Sequence, residues 1–233
     1  MKVIVFGANG PTGRILTRQA LAEGHEVTAF TRHPDTFPIE HEHLRVSRGD
    51  VFDVASVEAA VAGQDAVLST LGVPYSRKPI SVFSEGTAHI VRAMQNRGVR
   101  RLVCVTSSAV DPHNDIEGGL VFRKILQPFF IGVVGKTLYA DQRRMEDIVI
   151  NSDLDWTIVR PSGLFVSPGV TDYQTGERHL RGRFTSRVDL ADFMLRQLTD
   201  AQYVHKAAAL TTVTGQPNFL KFLWKEGISK KAA

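Results

Sequence analysis

The 233-residue sequence predicts an α/β fold built on a doubly wound parallel sheet, and three observations carry that prediction. Short β-branched runs alternate with longer amphipathic stretches, the order expected of strands joined by crossover helices. The runs VIVF (3–6), AVLST (66–70) and LVCVTS (102–107) are close to continuously apolar, as strands covered on both faces should be, whereas a half-exposed strand alternates. A glycine-rich turn, GANGPTG (7–13), sits between the first run and the first helical stretch.

The elements follow in order. VIVF is the first strand, and a helix opens at about Thr12. VTAF (27–30) and LRV (44–46) are the second and third strands. DVASVEAAVAG (53–63) is a helix with Asp53 available as N-cap and Gly63 as its stop. AVLST is the fourth strand, and Gly98 closes the helix through TAHIVRAMQNRG (87–98). LVCVTS, a further helix and WTIVR (156–160) complete the alternation. RVDLADFMLRQL (187–198) then reads as a helix, KAAALTTV (206–213) as a strand and NFLKFLWKEG (218–227) as a last short helix. Two segments, about 111–136 and 162–233, follow strands at their C-terminal ends, where open α/β sheets bind ligands. They read as a small substrate lobe carried by a single domain spanning 1–233. No internal repeat or linker interrupts the chain.

Hydrophobic residues at 43% and charged residues at 22% place the chain among ordinary globular proteins. MKVIVFG is too short in apolar residues for a signal peptide. The longest apolar stretch, ILQPFFIGVV (125–134), is broken by Gln127 and Pro128 and falls short of the roughly 18 residues of a membrane span. The expectation is a soluble, cytoplasmic protein without a membrane partner. Cys104 is the only cysteine, so an intrachain disulfide is excluded, and its strand context reads as an inert core thiol. The net charge of +4 is spread along the chain rather than clustered. An anionic small molecule explains the excess as well as nucleic acid would; no nucleic-acid partner is expected, and the oligomeric state is open with a slight preference for a monomer.

Gly7, Gly10 and Gly13 directly follow a strand and open a helix, the context that a dinucleotide cradle requires. The physical needs are a tight turn, backbone bare enough for a pyrophosphate to approach, and a helix N-terminus with its N–H groups and partial positive charge. Asn9 lies within the turn. Pro11 lacks an N–H, yet that donor is unpaired at a helix start in any case, so Thr12 and its neighbours become the donors. This makes the fold Rossmann-type. Sites that take NAD place an acid ~20 residues past the glycines for the ribose hydroxyl. The second strand here ends in Thr31 and Arg32 instead, and the guanidinium suits a 2′-phosphate, so NADP(H) is the expected cofactor. Arg14 is placed to assist from the helix start. A solvated loop charge remains the alternative for Arg32.

GANGPTG, the strand ending in Thr31 and Arg32, GDVFD (49–53), GQDAVLSTLG (63–72), VCVTSS (103–108), LDWTIVRPSGL (154–164) and SRVDLADFML (186–195) together resemble the atypical short-chain dehydrogenase/reductases. Within them the chain is most similar to the NAD(P)H-binding group of NmrA-like and biliverdin-IXβ/flavin reductase-like proteins. The resemblance implies that Asp50 and Val51 meet the adenine and that Leu71 and Gly72 line the ribose and pyrophosphate. It also implies that Ser107, Ser108, Pro161 and Ser162 lie beside the nicotinamide. It loosens between Asp111 and Lys136 and past Val204.

The wider superfamily relies on a Tyr with a Lys four residues on, which share a helix face so that the ammonium lowers the phenol's pKa. The nearest equivalent here is Tyr139 with Arg143, and Arg does not replace Lys in reach or geometry. Ser107 and Tyr139 are the candidate catalytic residues, with Tyr139 equally readable as packing. Biliverdin-type relatives carry a histidine just past the sixth strand where this chain has Gly163, so that proton donor does not carry over.

His41 and His43 read as a solvated turn rather than a metal site, and no metal is expected. Arg178, Arg181, Arg183 and Arg187 read as a solvent-facing hairpin, with an anionic substrate or flavin phosphate as the alternative. Phe122, Phe129, Phe130 and Phe165 either shelter a flat acceptor or form lobe core.

Two functions remain. One is an NADPH-dependent reductase of a conjugated acceptor such as a flavin, quinone or tetrapyrrole, the flavin then being a substrate. The other is a non-catalytic NADP(H)-binding redox sensor of the NmrA-like type. A sugar-nucleotide epimerase is disfavoured because it needs the missing Tyr/Lys pair.

Overall fold

The computed structural model describes residues 1–76, 78–111, 135–177, 180 and 182–217. At its centre β1 (Lys2–Phe6) pairs in parallel with β2 (Glu26–Thr31) on one side and β4 (Ala66–Ser69) on the other. The sheet extends outward through β3 (Leu44–Arg48) at one edge. In the other direction it continues through β5 (Arg101–Val105) and β6 (Asp155–Pro161). The strand order 3-2-1-4-5-6 is therefore followed by two strands from the C-terminal third. β10 (Lys206–Thr212) runs parallel to β6, and β8 (Tyr173–Gly176) closes the edge antiparallel to β10.

Side chains alternate across each strand, so β1 feeds two separate apolar layers. Val3 and Val5 pack with Leu16 and Ala20 of α1 (Pro11–Ala22) and with Leu190 and Met194 of α5 (Arg187–Arg196). Ile4 and Phe6 face the opposite layer, formed by α2 (Val54–Val61), α3 (Val82–Arg97) and α4 (Lys136–Ile150). Cys104 on β5 is fully buried in that second layer, and burial, reinforced by the nearby Glu146 carboxylate, pushes its thiol up.

The helix ends use the residues expected of them. Asp53 caps α2 by accepting from Ala55 N at 3.1 Å. Gly98 closes α3 at φ 71°, a left-handed conformation that glycine adopts without cost. The start of α3 is capped from outside its own sequence. The buried Asp141 of α4 accepts from Phe83 N at 2.9 Å and from the Ser84 hydroxyl, and Arg144 donates to it at 2.9 Å.

The segment after β6 divides between two sheets. β7 (Gly163–Phe165) and β9 (Phe184–Ser186) form a small parallel pair, while β8 and β10 extend the main sheet. Phe165 meets Phe184 edge to face at 6.3 Å, so it packs within that pair. Asp189 holds this region to the main sheet. It is fully buried and accepts from Thr171 N at 2.7 Å, Thr171 Oγ1 at 2.8 Å and Thr212 Oγ1 at 2.5 Å. Phe122, Phe129, Phe130, Arg178, Arg181 and the stretch 218–227 lie outside the described residues.

Replacing Asp189 with Ala leaves three donors without their acceptor in the interior, and charge-assisted bonds of this kind are among the stronger ones. Denaturant unfolding of Asp189→Ala is expected to show a loss of about 2 to 4 kcal/mol.

Candidate functional site

The order of strands reverses between β1 and β4, and outside the C-terminal ends of strands at such a switch point open α/β sheets bind their ligands. Because the sheet is parallel, every strand delivers its following residue to this same edge. Gly7 follows β1, Arg32 follows β2, and Asp50 and Val51 come just after β3. Leu71 and Gly72 come just after β4, Ser107 and Ser108 after β5, and Ser162 after Pro161 at the end of β6. The topology thus collects positions scattered over more than half the chain.

The three glycines differ in what they permit. Gly7 sits at φ 75°, and a Cβ there would lie 2.6 Å from the Thr70 carbonyl oxygen. A Cβ on Gly13 would collide with the Gly7 carbonyl oxygen and the Ala8 backbone. Both are demanded by the fold's own packing. Gly10 is different: its φ of −74° suits any residue, and a Cβ would meet only the Gly7 oxygen at 3.2 Å. The space in front of Gly10 is open where a phosphate would approach.

The donors of this turn are also unspent. The first intrahelical bond of α1 runs from Arg14 N to Gly10 O at 3.0 Å, which leaves the N–H groups of Thr12 and Gly13 ahead of the ladder. Pro11 occupies N1, no side chain caps the helix, and its first turn holds no acid. Bare backbone, free donors and a positive helix end fit a pyrophosphate. Arg14 grips Asn9 Oδ1 through two bonds, at 3.0 and 2.8 Å, and so stiffens the turn. Arg187 of α5 donates to Thr12 Oγ1 at 2.8 Å. It is half-buried and opens a helix, so the solvent-facing hairpin expected for it is incorrect.

Just past the end of β2, Arg32 is exposed and its guanidinium makes no ion pair among the described residues. The nearest acid in sequence, Asp35, is held by Arg48 at 2.6 Å. Val51 is anchored through its carbonyl, 2.8 Å from His89 Nδ1. Gly86 of α3 lets Val51 and Leu71 close together, since a Cβ there would stand 3.0 Å from Val51 and 3.4 Å from Leu71. Asp50 accepts from Phe52 N at 3.1 Å.

At the other end, Ser107 Oγ accepts from Ala109 N at 3.2 Å, which leaves its proton for an outside acceptor. Ser162 is fixed by Thr185 Oγ1 at 3.0 Å and by the Gly182 carbonyl at 3.3 Å. The hydroxyl of Tyr139 lies 3.1 Å from that of Tyr75, with the rings edge to face. Burial and the neighbouring Tyr75 push the Tyr139 phenol well above its ordinary value, and no cation opposes them. Arg143 is exposed and forms no ion pair among the described residues. Beneath this end Glu146 accepts from Thr106 Oγ1 at 2.7 Å and from Arg160 at 3.0 and 2.6 Å, while Arg160 also meets Asp111 at 3.4 Å. Burial pulls the Arg160 pKa down, but the bonds and charge of Glu146 outweigh it and raise the value.

His41 and His43 are exposed in a turn, and among the described residues no group of His, Cys, Asp and Glu is placed to hold a metal. Nor is any described helix long and apolar enough to cross a membrane.

Comparison with known families matches residues 7–201 to a model described as NAD(P)H-binding. The chain belongs to this NAD(P)H-binding family. It spans 12% of an uncharacterized protein from Mycobacterium tuberculosis, to which it is 36% identical over 113 residues, or 48% of its own length. An uncharacterized sugar epimerase, YhfK, from Bacillus subtilis is 28% identical over 222 residues, covering 91% of this chain and 94% of that one. Among solved structures, a short-chain dehydrogenase/reductase from Veillonella parvula in complex with NADP superposes with a TM-score of 0.77 at 19% identity, over 94% and 99% of the two chains. ChuY from Escherichia coli O157:H7, described as an anaerobillin reductase, gives 0.71 at 24% identity, over 94% and 100%. At these identities the two structures speak for the fold.

For this member of the NAD(P)H-binding family, sequence reasoning overlooked Tyr75 and the set Thr106, Glu146, Arg160 and Asp111. An arginine closing the otherwise apolar run WTIVR was the available signal for the latter, because a charge at that depth requires a partner. Tyr75 gives no comparable signal.

The glycines supply a paired test. Gly10→Val should unfold within about 1 kcal/mol of the unmodified protein, yet lose nucleotide binding in a calorimetric titration. Gly13→Ala should cost about 3 kcal/mol of stability, because backbone rather than ligand occupies the space.

Proposed function

We propose that the chain is an NADPH-dependent reductase of a conjugated acceptor such as a flavin, a quinone or a linear tetrapyrrole. The observation that supports this most directly is the state of Tyr139. A simple ketone needs a positioned acid as its alkoxide develops, and a tyrosine serves when a nearby cation lowers its pKa. Tyr139 faces another phenol instead, and its pKa moves the opposite way. A conjugated acceptor spreads the incoming charge over its ring system and takes its proton from water, so the missing acid is no obstacle. Membership of an NAD(P)H-binding family and the likeness to ChuY, described as an anaerobillin reductase, agree with the reading.

When bound, NADPH supplies the hydride. The chain's residues then have separate tasks in this proposal. Gly7, Asn9, Gly10, Thr12 and Gly13 take the pyrophosphate, and Arg32 takes the 2′-phosphate. Val51, Leu71 and Gly72, with Asp50, border the adenine and ribose. Ser107, Ser108, Pro161 and Ser162 border the nicotinamide, while Tyr75 and Tyr139 form an aromatic wall beside the acceptor.

The deciding experiment mixes the protein and NADPH with a panel of flavins, quinones and biliverdin, following the loss of nicotinamide absorbance. Turnover with a panel member, abolished in Gly10→Val, is expected. Tight NADPH binding without turnover on any of them would replace this reading with a redox sensor.

Two substitutions refine the assignment. NADPH should bind about 10-fold to 150-fold more tightly than NADH, the range of a charge-assisted hydrogen bond, and Arg32→Ala should erase most of the difference. Equal dissociation constants in the unmodified protein would remove Arg32 from the site. Tyr139→Phe should lower turnover by less than about 10-fold, below the ~100-fold to 10,000-fold of a positioned acid. Burial disfavours the phenolate, so Tyr139 stays protonated as pH rises towards 10.0, the ordinary value of a tyrosine. The pH profiles of the two proteins should therefore coincide on the alkaline side. A 100-fold loss at unchanged NADPH affinity would instead point to carbonyl reduction (~100-fold being the low end for an acid).

A further inference from the structure

We propose that Glu146 is a positioning residue for the nicotinamide end of the site, a single buried carboxylate that holds the three chain segments around that end in one register. Its role rests on the cofactor reading above and is exercised through its neighbours.

Glu146 lies on α4 and is only 5% exposed. Both of its oxygens are engaged. Oε1 accepts from the Thr106 hydroxyl at 2.7 Å and from Arg160 Nε at 3.0 Å, while Oε2 accepts from Arg160 Nη2 at 2.6 Å. Two parallel bonds between a guanidinium and a carboxylate fix angle as well as distance, because both groups are planar. Arg160 reaches on to Asp111 through Nη1 at 3.4 Å.

The residues that come next along each segment give this network its task. Thr106 immediately precedes Ser107 and Ser108, and Arg160 immediately precedes Pro161 and Ser162, the positions that border the nicotinamide in the proposed site. Tyr139 of the aromatic wall stands about two helical turns before Glu146 on the same face of α4. One carboxylate therefore ties the end of β5, the end of β6 and the wall to a common point. Thr106 N already donates to the Val159 carbonyl at 2.9 Å, which sets the two strands side by side at this level. Glu146 adds the helix to that pair.

Stability alone does not account for the pair. Taking two charges out of water costs about what their attraction returns, so well-packed apolar side chains would hold the layer at least as firmly. What an apolar contact lacks is direction. Carbon surfaces slide over one another, whereas a fork of hydrogen bonds joined by a hydroxyl has one good geometry. Hydride transfer is sensitive on that scale, since the reacting atoms must come within ~3–3.5 Å of each other. The other polar anchors of α4 do not substitute. Asp141 and Arg144 fasten the helix to Phe83 N and to the Ile80 carbonyl, around the start of α3, and leave its sheet-facing side to Glu146.

The test uses NADPH, 2′-phospho-ADP-ribose, which lacks the nicotinamide, and three variants of the full chain. Glu146→Gln keeps the shape but sets an amide donor against the guanidinium. Its affinity for 2′-phospho-ADP-ribose should stay within about 3-fold of the unmodified protein. Its turnover at saturating NADPH should fall about 10-fold to 100-fold, the cost of a misplacement near 1 Å. The reduced nicotinamide of bound NADPH should also fluoresce differently and be quenched more readily by iodide, as the ring loses its fixed seat. Thr106→Val should reproduce these changes with the ion pair intact, and Thr106→Ser should reverse them. If Glu146→Gln fails to fold, the two threonine variants carry the test. Unaltered turnover and nicotinamide fluorescence in folded Glu146→Gln or Thr106→Val would make the network purely structural and overturn the inference, as would equal weakening of NADPH and 2′-phospho-ADP-ribose. If the unmodified protein binds NADPH but reduces no acceptor, the reductase reading falls while the fluorescence still decides the role of Glu146. If it does not bind NADPH, the cofactor reading falls and this inference falls with it.

Discussion

The ligand edge depends on one backbone contact, the approach of the turn after β1 to the end of β4 and to the start of α1. The Gly7 carbonyl oxygen is its hub. It accepts from Gly10 N at 3.0 Å and from Thr70 Oγ1 at 3.3 Å, and it fills the space that a side chain on Gly13 would need. The contact fixes where the N-terminus of α1 stands at the switch in strand order. A side chain at Gly7 or Gly13 would force the helix away from the sheet. The apolar layer of Val3, Val5, Leu16 and Ala20 would then open along with the cradle.

The acids near this edge have partners within the protein. Asp35 is held by Arg48, Asp53 caps α2, Asp50 secures its own turn, and Asp111 meets Arg160. Deeper carboxylates follow the same rule, with Asp141, Glu146 and Asp189 each surrounded by donors. The guanidinium of Arg32 faces outward, as do the unspent N–H groups of α1. An edge of this composition attracts phosphates without needing a high overall charge, in keeping with a net charge of only +4.

The centre of the main sheet was legible in the sequence because β1, β4 and β5 are buried on both faces and announce themselves as apolar runs. The glycine turn was legible because its backbone demands leave few residue choices. β10 was legible as well, in KAAALTTV, but the three strands between it and β6 were not. β7, β8 and β9 are three to four residues long, contain Gly, Thr and Tyr, and owe their existence to partners on β10 and on each other. Arg187 shows the same difficulty for a side chain. Its partner Thr12 lies 175 residues away, a pairing that no local pattern encodes. Arg32 presented the opposite case, since the end of the second strand always reaches the ribose side of this fold.

The lone cysteine, finally, makes the sheet's interior observable. Cys104 lies on β5 between β4 and β6, with no exposed surface and a thiol that burial keeps protonated. A sulfur so placed, under the layer of α3 and α4, meets a reagent only when that layer lifts from the sheet, and fraying at the sheet's edges leaves it covered. Its labelling rate under native conditions is therefore a clock for opening of the core between the sheet and that helical layer. Any ligand that slows that clock must be binding to the intact fold.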